Sequence, residues 1–172
     1  MTPSKALQKA MNDQIRKEFE SAYIYLSMAA WMEDQNLPGF AAWLRIQARE
    51  ESIHAMKIFD HLIDRSCRVK LQPLAGPTTE FKTPLEVFEQ VKKHEQSVTK
   101  SIDDLYGLAQ NDRDFASQVF LEWFITEQVE EEKSSTQVLE SVRRVGTDQA
   151  ALVMLDRELG QRAGAGKGSD AS

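Results

Sequence analysis

The chain has 172 residues, 41% of them hydrophobic, which is enough for one domain with a sizeable core. Its formal net charge of -6 argues against a general binder of nucleic acid or anionic membranes and favours the attraction of cations. A single cysteine, Cys67, excludes an internal disulfide framework and suits a reducing compartment. There is no secretory signal pattern, and no stretch approaches the ~20 apolar residues of a membrane span. We therefore expect a cytoplasmic protein that binds neither nucleic acid nor a membrane.

Apolar residues recur at alternating intervals of three and four through most of the chain, which is the spacing of amphipathic helices. The pattern predicts one all-α domain over residues 1–162, followed by a flexible tail over 163–172 that is rich in glycine, alanine and serine. The predicted helices span about 4–34, 39–66, 84–110, 113–145 and 148–160.

Local residues indicate where the later helices begin and end. Thr83, Pro84 and Glu86 form a capping-box start for the third helix. Gly146 ends the fourth helix, and Thr147 is expected to cap the fifth.

The connection lengths predict how the helices are arranged. The turn at 36–39 is short, so the first two helices should be antiparallel neighbours. The 17 residues of 67–83 could cover ~55 Å, which is more than the ~40 Å length of a helix of ~27 residues. We therefore predict a four-helix bundle with one long crossover, which makes the third helix parallel to the second, and a short fifth helix.

Polar residues interrupt each apolar stripe on the side that should face the core. Glu51 and His54 are three residues apart, so both lie on one helix face, one turn apart. Glu51 and Glu95 each lie 11 residues beyond the expected helix starts at Phe40 and Pro84, which places them at similar depth in the bundle. The interrupting residues are Glu18 on the first helix, Glu51 and His54 on the second, Glu95 on the third, and Gln128 and Glu131 on the fourth.

Several carboxylates in one bundle interior repel one another, and either a bound cation or proton uptake relieves the repulsion. The set is rich in oxygen, with one imidazole and no thiolate, which argues against structural zinc and favours iron or manganese. We interpret it as a di-iron centre in which Glu51 bridges two metals, Glu18 and His54 bind one, and Glu95 binds the other. The alternative is a polar core in which the carboxylates share protons.

A second acidic group lies beside these residues. Glu127, Glu130 and Glu131 occupy positions i, i+3 and i+4 of the fourth helix, and Glu50 precedes Glu51. Like charges at this spacing destabilise a helix by a few tenths of a kcal/mol per pair, so a compensating cation would stabilise it. The spacing agrees equally well with an exposed acidic face.

Together these residues resemble the bacterial non-haem ferritins, and the similarity covers nearly the whole chain. The resemblance implies a ferritin-like four-helix bundle and a cage of 24 identical subunits around a mineral cavity, in which O2 or H2O2 oxidises Fe2+ to Fe3+. The matching motifs are Glu18 with Tyr25, Glu50-Glu51-x-x-His54-Ala55, Glu95, and Glu127-Gln128-x-x-Glu131.

The resemblance also implies roles for individual residues. Glu18, Glu51, His54 and Glu95 would be ligands, with Gln128 contributing at the centre and Glu131 on the side of the second metal. A third iron site would be formed by Glu131 with Glu50, Glu127 and Glu130. Tyr25 could donate an electron during oxygen reduction, although a core tyrosine with a satisfied hydroxyl explains it as well.

Differences from two related families indicate which cofactor sites the chain should lack. Bacterioferritins, which also resemble the chain, have a histidine where Glu131 stands and a haem-binding methionine where Ser52 stands, so no haem is expected. The single cysteine excludes the four-cysteine module of rubrerythrins. Two alternatives stay open: a di-iron oxidoreductase that forms a small oligomer without mineral storage, and a helical scaffold with no catalytic role.

Overall fold

Five α-helices form the fold of the protein in a computed structural model that describes residues 2–165. The all-α prediction is confirmed, and the last helix continues past its expected end at 160. Most of the predicted tail lies outside the described residues. The helices are α1 (Lys5–Asp34), α2 (Pro38–Asp64), α3 (Pro84–Asn111), α4 (Phe115–Val145) and α5 (Gln149–Ala165).

The ends of α3 and α4 follow the local sequence. Thr83 Oγ1 accepts a hydrogen bond from Glu86 N at 3.1 Å, and a Glu86 carboxylate oxygen accepts one from Lys82 N at 2.7 Å. Gly146 ends α4 with a φ of 56°, in the left-handed region that glycine adopts without steric cost. Both boundaries therefore result from residues at the boundary itself.

The start of α5 requires a correction, because Asp148 and not Thr147 provides its cap. Asp148 Oδ1 accepts hydrogen bonds from Ala150 N at 2.9 Å and Ala151 N at 3.1 Å. A carboxylate at this position satisfies two backbone donors and interacts favourably with the positive end of the helix dipole.

The crossover of residues 65–83 makes α2 and α3 parallel, as predicted. Later residues of α1 contact earlier residues of both helices, so α2 and α3 each run antiparallel to α1. The contacts are Glu33 with Arg45 and Glu18 with Glu51 for α2, and Gln14 with Ser101 and Tyr25 with Glu95 for α3. The crossover follows α1 over most of its length, with hydrogen bonds from Lys70 to Asn12, Gln72 to Asp13, Ala75 to Glu20, and Ser27 to Thr78.

Two apolar clusters fill the bundle, one at each end. One lies near α5 and includes Phe40 and Phe88, and the other includes Leu7 and Phe124. Between them lies a buried polar layer in which each side chain is at most 6% exposed. The polar layer consists of Glu18, Glu51, His54, Glu95, Gln128 and Glu131.

Helix α5 packs against the start of α2 and completes it. Leu37, at the N-cap of α2, offers no side-chain cap, and Asp156 Oδ1 accepts hydrogen bonds from Gly39 N at 2.8 Å and Phe40 N at 3.0 Å. A Cβ on Gly39 would lie 1.7 Å from the Asp156 carbonyl oxygen, so the contact requires glycine. None of the helices described in residues 2–165 has the length and apolar character needed to cross a membrane.

Candidate metal centre

Glu18, Glu51 and His54 converge in the middle of the bundle. Each of them offers one ligand atom such that the three atoms lie within 4.8 Å of one another, and all three side chains are buried. Glu18 Oε2 and both carboxylate oxygens of Glu51 have no hydrogen-bond donor among the other described side chains. The Glu18 and Glu51 carboxyl groups are close enough to share a proton, which raises the pKa of Glu18 and lowers that of Glu51 against the larger effect of burial. Burying such oxygens without a partner costs several kcal/mol, and a bound cation would offset that cost.

Aromatic rings fix the position of His54. Its Nδ1 lies 3.6 Å from Glu51 Oε2, one helical turn away. The imidazole contacts Trp123 and Phe124 of α4 edge-on, with ring centroids 5.3 Å and 5.9 Å apart. The ring therefore lies beside the Glu51 carboxylate, and its contacts with Trp123 and Phe124 restrict its rotation.

A glutamine holds Glu18 in one orientation. Gln14, one turn earlier on α1, donates its Nε2–H to Glu18 Oε1 at 2.7 Å. The Gln14 amide oxygen accepts in turn from Ser101 Oγ of α3 at 2.5 Å. Because Oε1 is engaged, Oε2 is the oxygen that Glu18 presents to the centre.

Glu95 and Glu131 already have hydrogen-bond donors. The Tyr25 hydroxyl donates to Glu95 Oε1, and Gln128 Nε2 lies 3.3 Å from Glu95 Oε2. Glu131 Oε2 accepts from Gln47 Nε2 at 2.6 Å. Three of the four carboxylate oxygens of Glu95 and Glu131 therefore accept a hydrogen bond in this structure.

Burial and mutual repulsion favour the protonated carboxyl groups. Burial is the main cause that raises the pKa of Glu18, Glu51 and Glu95. Burial, with added repulsion from Glu95 and Glu50, raises the pKa of Glu131 to about 8. In the absence of a cation the layer therefore retains protons, which a cation would displace.

The predicted second acidic group is more open. Glu131 is buried, Glu50 and Glu127 are half-buried, and Glu130 is exposed, with Lys133 Nζ at 3.6 Å. Within residues 2–165, the cluster of ligand atoms around Glu51 includes none of these four residues. Glu50 and Glu127 interact with Glu131 through their charges, because both raise the pKa of Glu131.

Three hydrogen-bonding residues around the centre were not among the predicted site residues. Gln14 precedes Glu18 by four residues, and Thr99 follows Glu95 by four, which are same-face spacings on a helix. Gln47 lies on the apolar stripe of α2, four residues before Glu51. Polar residues one turn from a buried carboxylate were the signal that could have identified all three.

Fold and site together define a helical-bundle protein with a buried carboxylate and histidine centre, and comparison with known proteins gives its family. The ferritin sequence family, described as a ferritin-like domain, matches residues 8–145. The chain is 39% identical to a bacterial non-heme ferritin of Staphylococcus haemolyticus and 36% identical to one of Staphylococcus aureus. Each match covers 92% of this chain and 96% of the relative.

Solved structures give the same result. An open-pore ferritin of the archaeon Archaeoglobus fulgidus superposes with a TM-score of 0.90 at 45% identity, covering 91% of this chain and 97% of the other. A closed form engineered from that ferritin gives a TM-score of 0.91 at 45% identity, covering 92% and 97%. The chain belongs to the ferritin family. Membership supports iron storage with ferroxidase-type chemistry as its general role.

Proposed function

We propose that this chain is an iron-storage protein with ferroxidase activity. Two Fe2+ bind between the helices and are oxidised, and Fe3+ is stored as mineral inside a cage of 24 identical chains in the cytoplasm. The observation that carries this proposal is the set of buried, unpartnered oxygens of Glu18 and Glu51 beside His54. Without a cation such a set must hold protons to limit its mutual repulsion, and its oxygen-rich chemistry suits a divalent cation that would replace them.

The hydrogen-bond partners suggest how the ligands divide between two irons. Glu51, whose two oxygens are both open, would bridge the two metals. Glu18 Oε2 and His54 complete one position. Glu95 would serve the second position, with Gln128 and Glu131 beside it.

The reaction balances with either oxidant. Each Fe2+ loses one electron, and O2 accepts two electrons and two protons to form H2O2. Alternatively, H2O2 accepts two electrons and two protons to form two water molecules. Several carboxylates around the irons favour Fe3+ over Fe2+ because they stabilise the higher charge.

Tyr25 and the second acidic group take supporting roles in this proposal. Tyr25 donates its hydroxyl hydrogen to Glu95, so it lies within reach of the second metal position as an electron donor. The third iron site would use Glu50, Glu127 and Glu130 with Glu131, which is supported by the electrostatic coupling of Glu131 to Glu50 and Glu127. Haem is not expected, because Ser52 has no atom suited to binding haem iron.

Stopped-flow mixing of the metal-free protein with Fe2+ in air tests the centre. Glu51→Ala should slow iron oxidation by roughly 100-fold, because it removes the bridging ligand. Glu122→Ala, at an exposed position of α4, should retain the parent rate. If Glu51→Ala oxidises iron as fast as the parent, the assignment of the centre is wrong.

Analytical ultracentrifugation tests the cage. A mass corresponding to 24 chains is expected, whereas a dimer or tetramer with the same metal content would support a di-iron oxidoreductase without mineral storage. Metal analysis of protein produced in iron-rich medium distinguishes the iron-storage protein and the di-iron oxidoreductase, which both contain metal, from a helical scaffold without metal.

A further inference from the structure

A pocket of about 320 Å³ opens between α3 and α4 and ends at the polar layer. Gln128 lines the inner end of this pocket and contacts Glu95, and both side chains are almost fully buried. One side chain therefore separates this α3–α4 pocket from a carboxylate of the candidate centre. Its lining includes Thr99, Ile102, Asp103, Gln128, Val129 and Glu132.

Oxygen atoms lead from the pocket towards the centre. Thr99 Oγ1 donates to Glu132 Oε1 at 2.6 Å, and Gln128 Nε2 lies 3.3 Å from Thr99 Oγ1 and 3.3 Å from Glu95 Oε2. Glu132, Thr99 and Glu95 thus present oxygens in succession. Oxygen donors of this kind can replace the water ligands of a hard cation as it moves inward.

The amide of Gln128 is weakly held. Its three hydrogen bonds, at 3.3 to 3.4 Å, are longer than the ~2.9 Å of an ordinary N–H···O bond. The amides of Gln14 and Gln47, by contrast, donate at 2.7 Å and 2.6 Å. Rotation of the Gln128 side chain should therefore cost little.

Size and charge suit a hydrated cation. Six water molecules occupy roughly 180 Å³ at ~30 Å³ each, which is less than the volume of the pocket. Asp103 and Glu132 contribute two carboxylates to the lining, which contains no lysine or arginine among the described residues. Negative charge in a cleft raises the local concentration of cations.

A second pocket near the centre is less suitable. It has a volume of about 410 Å³, lies between α2 and α4, and is separated from His54 by Trp123. Lys57 Nζ lies 4.3 Å from the centre of the Trp123 ring, so a cation would meet an ammonium group and a large ring. We propose that the α3–α4 pocket is the route by which hydrated divalent cations reach the centre, with Gln128 as its gate. This inference rests on the proposed function, because the centre must bind metal.

The test measures how fast Co2+, which O2 does not oxidise on this timescale, reaches the centre of the full chain. Val129→Trp, at an exposed rim position of the α3–α4 pocket, should cover the opening and slow binding by roughly tenfold. Dissociation should slow by the same factor, so the equilibrium affinity for Co2+ stays unchanged. Val119→Trp is the matched control: it lies on the same helix, is also exposed, and is on the rim of the other pocket.

A second variant, Glu132→Gln, tests the proposed route independently. It removes one carboxylate from the pocket while keeping an acceptor for Thr99, so binding should slow and depend less on ionic strength. The inference is overturned if Val129→Trp binds Co2+ at the parent rate, or if Val119→Trp slows binding equally. A parent protein that binds no Co2+ at equilibrium would instead contradict the proposed function.

Discussion

Glutamine amides engage three of the four inward-facing carboxylates of the polar layer. Gln14 and Gln47 donate at 2.7 Å and 2.6 Å and orient their carboxylates, whereas Gln128 contacts Glu95 at 3.3 Å and holds it less firmly. Glu51 has no such donor, and this difference supports the proposal that it bridges the two metals. The pairs are Gln14 with Glu18, Gln47 with Glu131, and Gln128 with Glu95.

Replacing Gln14 tests whether this orientation matters. Gln14→Met keeps the length of the side chain and removes the donor to Glu18 Oε1. Co2+ affinity, measured by anaerobic titration of its visible absorption, should fall by roughly 10- to 100-fold, which is typical for the loss of a residue that orients a ligand.

Gln47→Met is the matched control, because it removes a donor from Glu131 instead. It should affect the first equivalent of Co2+ much less. Equal losses in both variants would indicate that general packing, and not the orientation of Glu18, determines affinity.

The inward carboxylates could be predicted from sequence because each one breaks an apolar stripe of its own helix. Their hydrogen-bond partners could not be predicted in the same way. Ser101, for example, reaches Gln14 across two helices 87 positions apart in the chain, and such a contact depends on the rotation of each helix. Periodicity indicates which face of a helix is buried, but not which side chains of two helices then meet.

At the scale of secondary-structure elements, the contact of α5 with α2 depends on close approach of the two backbones. A Cβ added to Gly160 would lie 3.3 Å from the Gly39 Cα, so both helices present glycine at the crossing. The result is a helix start whose cap comes from a distant segment.

Gly39→Ala should therefore destabilise the protein by roughly 1–3 kcal/mol, because the added Cβ would overlap the backbone of Asp156. Thermal unfolding and hydrogen exchange of α5 would measure the loss. Gly107→Ala is the control: a Cβ there meets nothing within 4 Å, so stability should rise by about 0.5–1 kcal/mol. If Gly39→Ala unfolds at the parent temperature, the crossing tolerates a side chain.

Helix starts whose caps lie nearby in the sequence were predictable, and those whose caps come from a distant segment were not. The start of α3 follows from Thr83 and Glu86, which are neighbours in sequence. The cap of α2 comes from Asp156, whose carboxylate is 117 positions from Gly39. A local pattern carries no information about such a partner.

At the scale of the whole molecule, a polar layer separates two apolar clusters, so its protonation state affects the stability of the entire bundle. Carboxyl groups with a raised pKa bind protons more tightly in the folded state than in the unfolded chain. Their contribution to stability is present below the ordinary pKa near 4.5, and it is lost as the pH rises through the folded value, about 8 for Glu131.

The melting temperature of the metal-free protein should accordingly fall between about pH 7 and pH 8.5. Burial lowers the pKa of His61 and His94, so in the folded protein these imidazoles lose their protons at a lower pH than Glu131 does. Glu131→Gln should flatten the fall, and differential scanning calorimetry would measure it. A melting temperature that stays constant or rises with pH in the parent would contradict this account.

Addition of Co2+ should raise the melting temperature again. A cation that binds only the folded state stabilises it by about 2.7 kcal/mol when its concentration is 100 times its dissociation constant. The gain should be larger at pH 8.5 than at pH 7, since fewer protons then compete for the carboxylates. Glu51→Ala should show little gain at either pH.

The Asp156 contact has a consequence for how the chain matures during translation. Since the carboxylate that completes α2 is carried by α5, the ribosome must make nearly the whole chain before α2 acquires its cap. A nascent chain that stalled after α4 would contain every residue of the polar layer and still lack this cap.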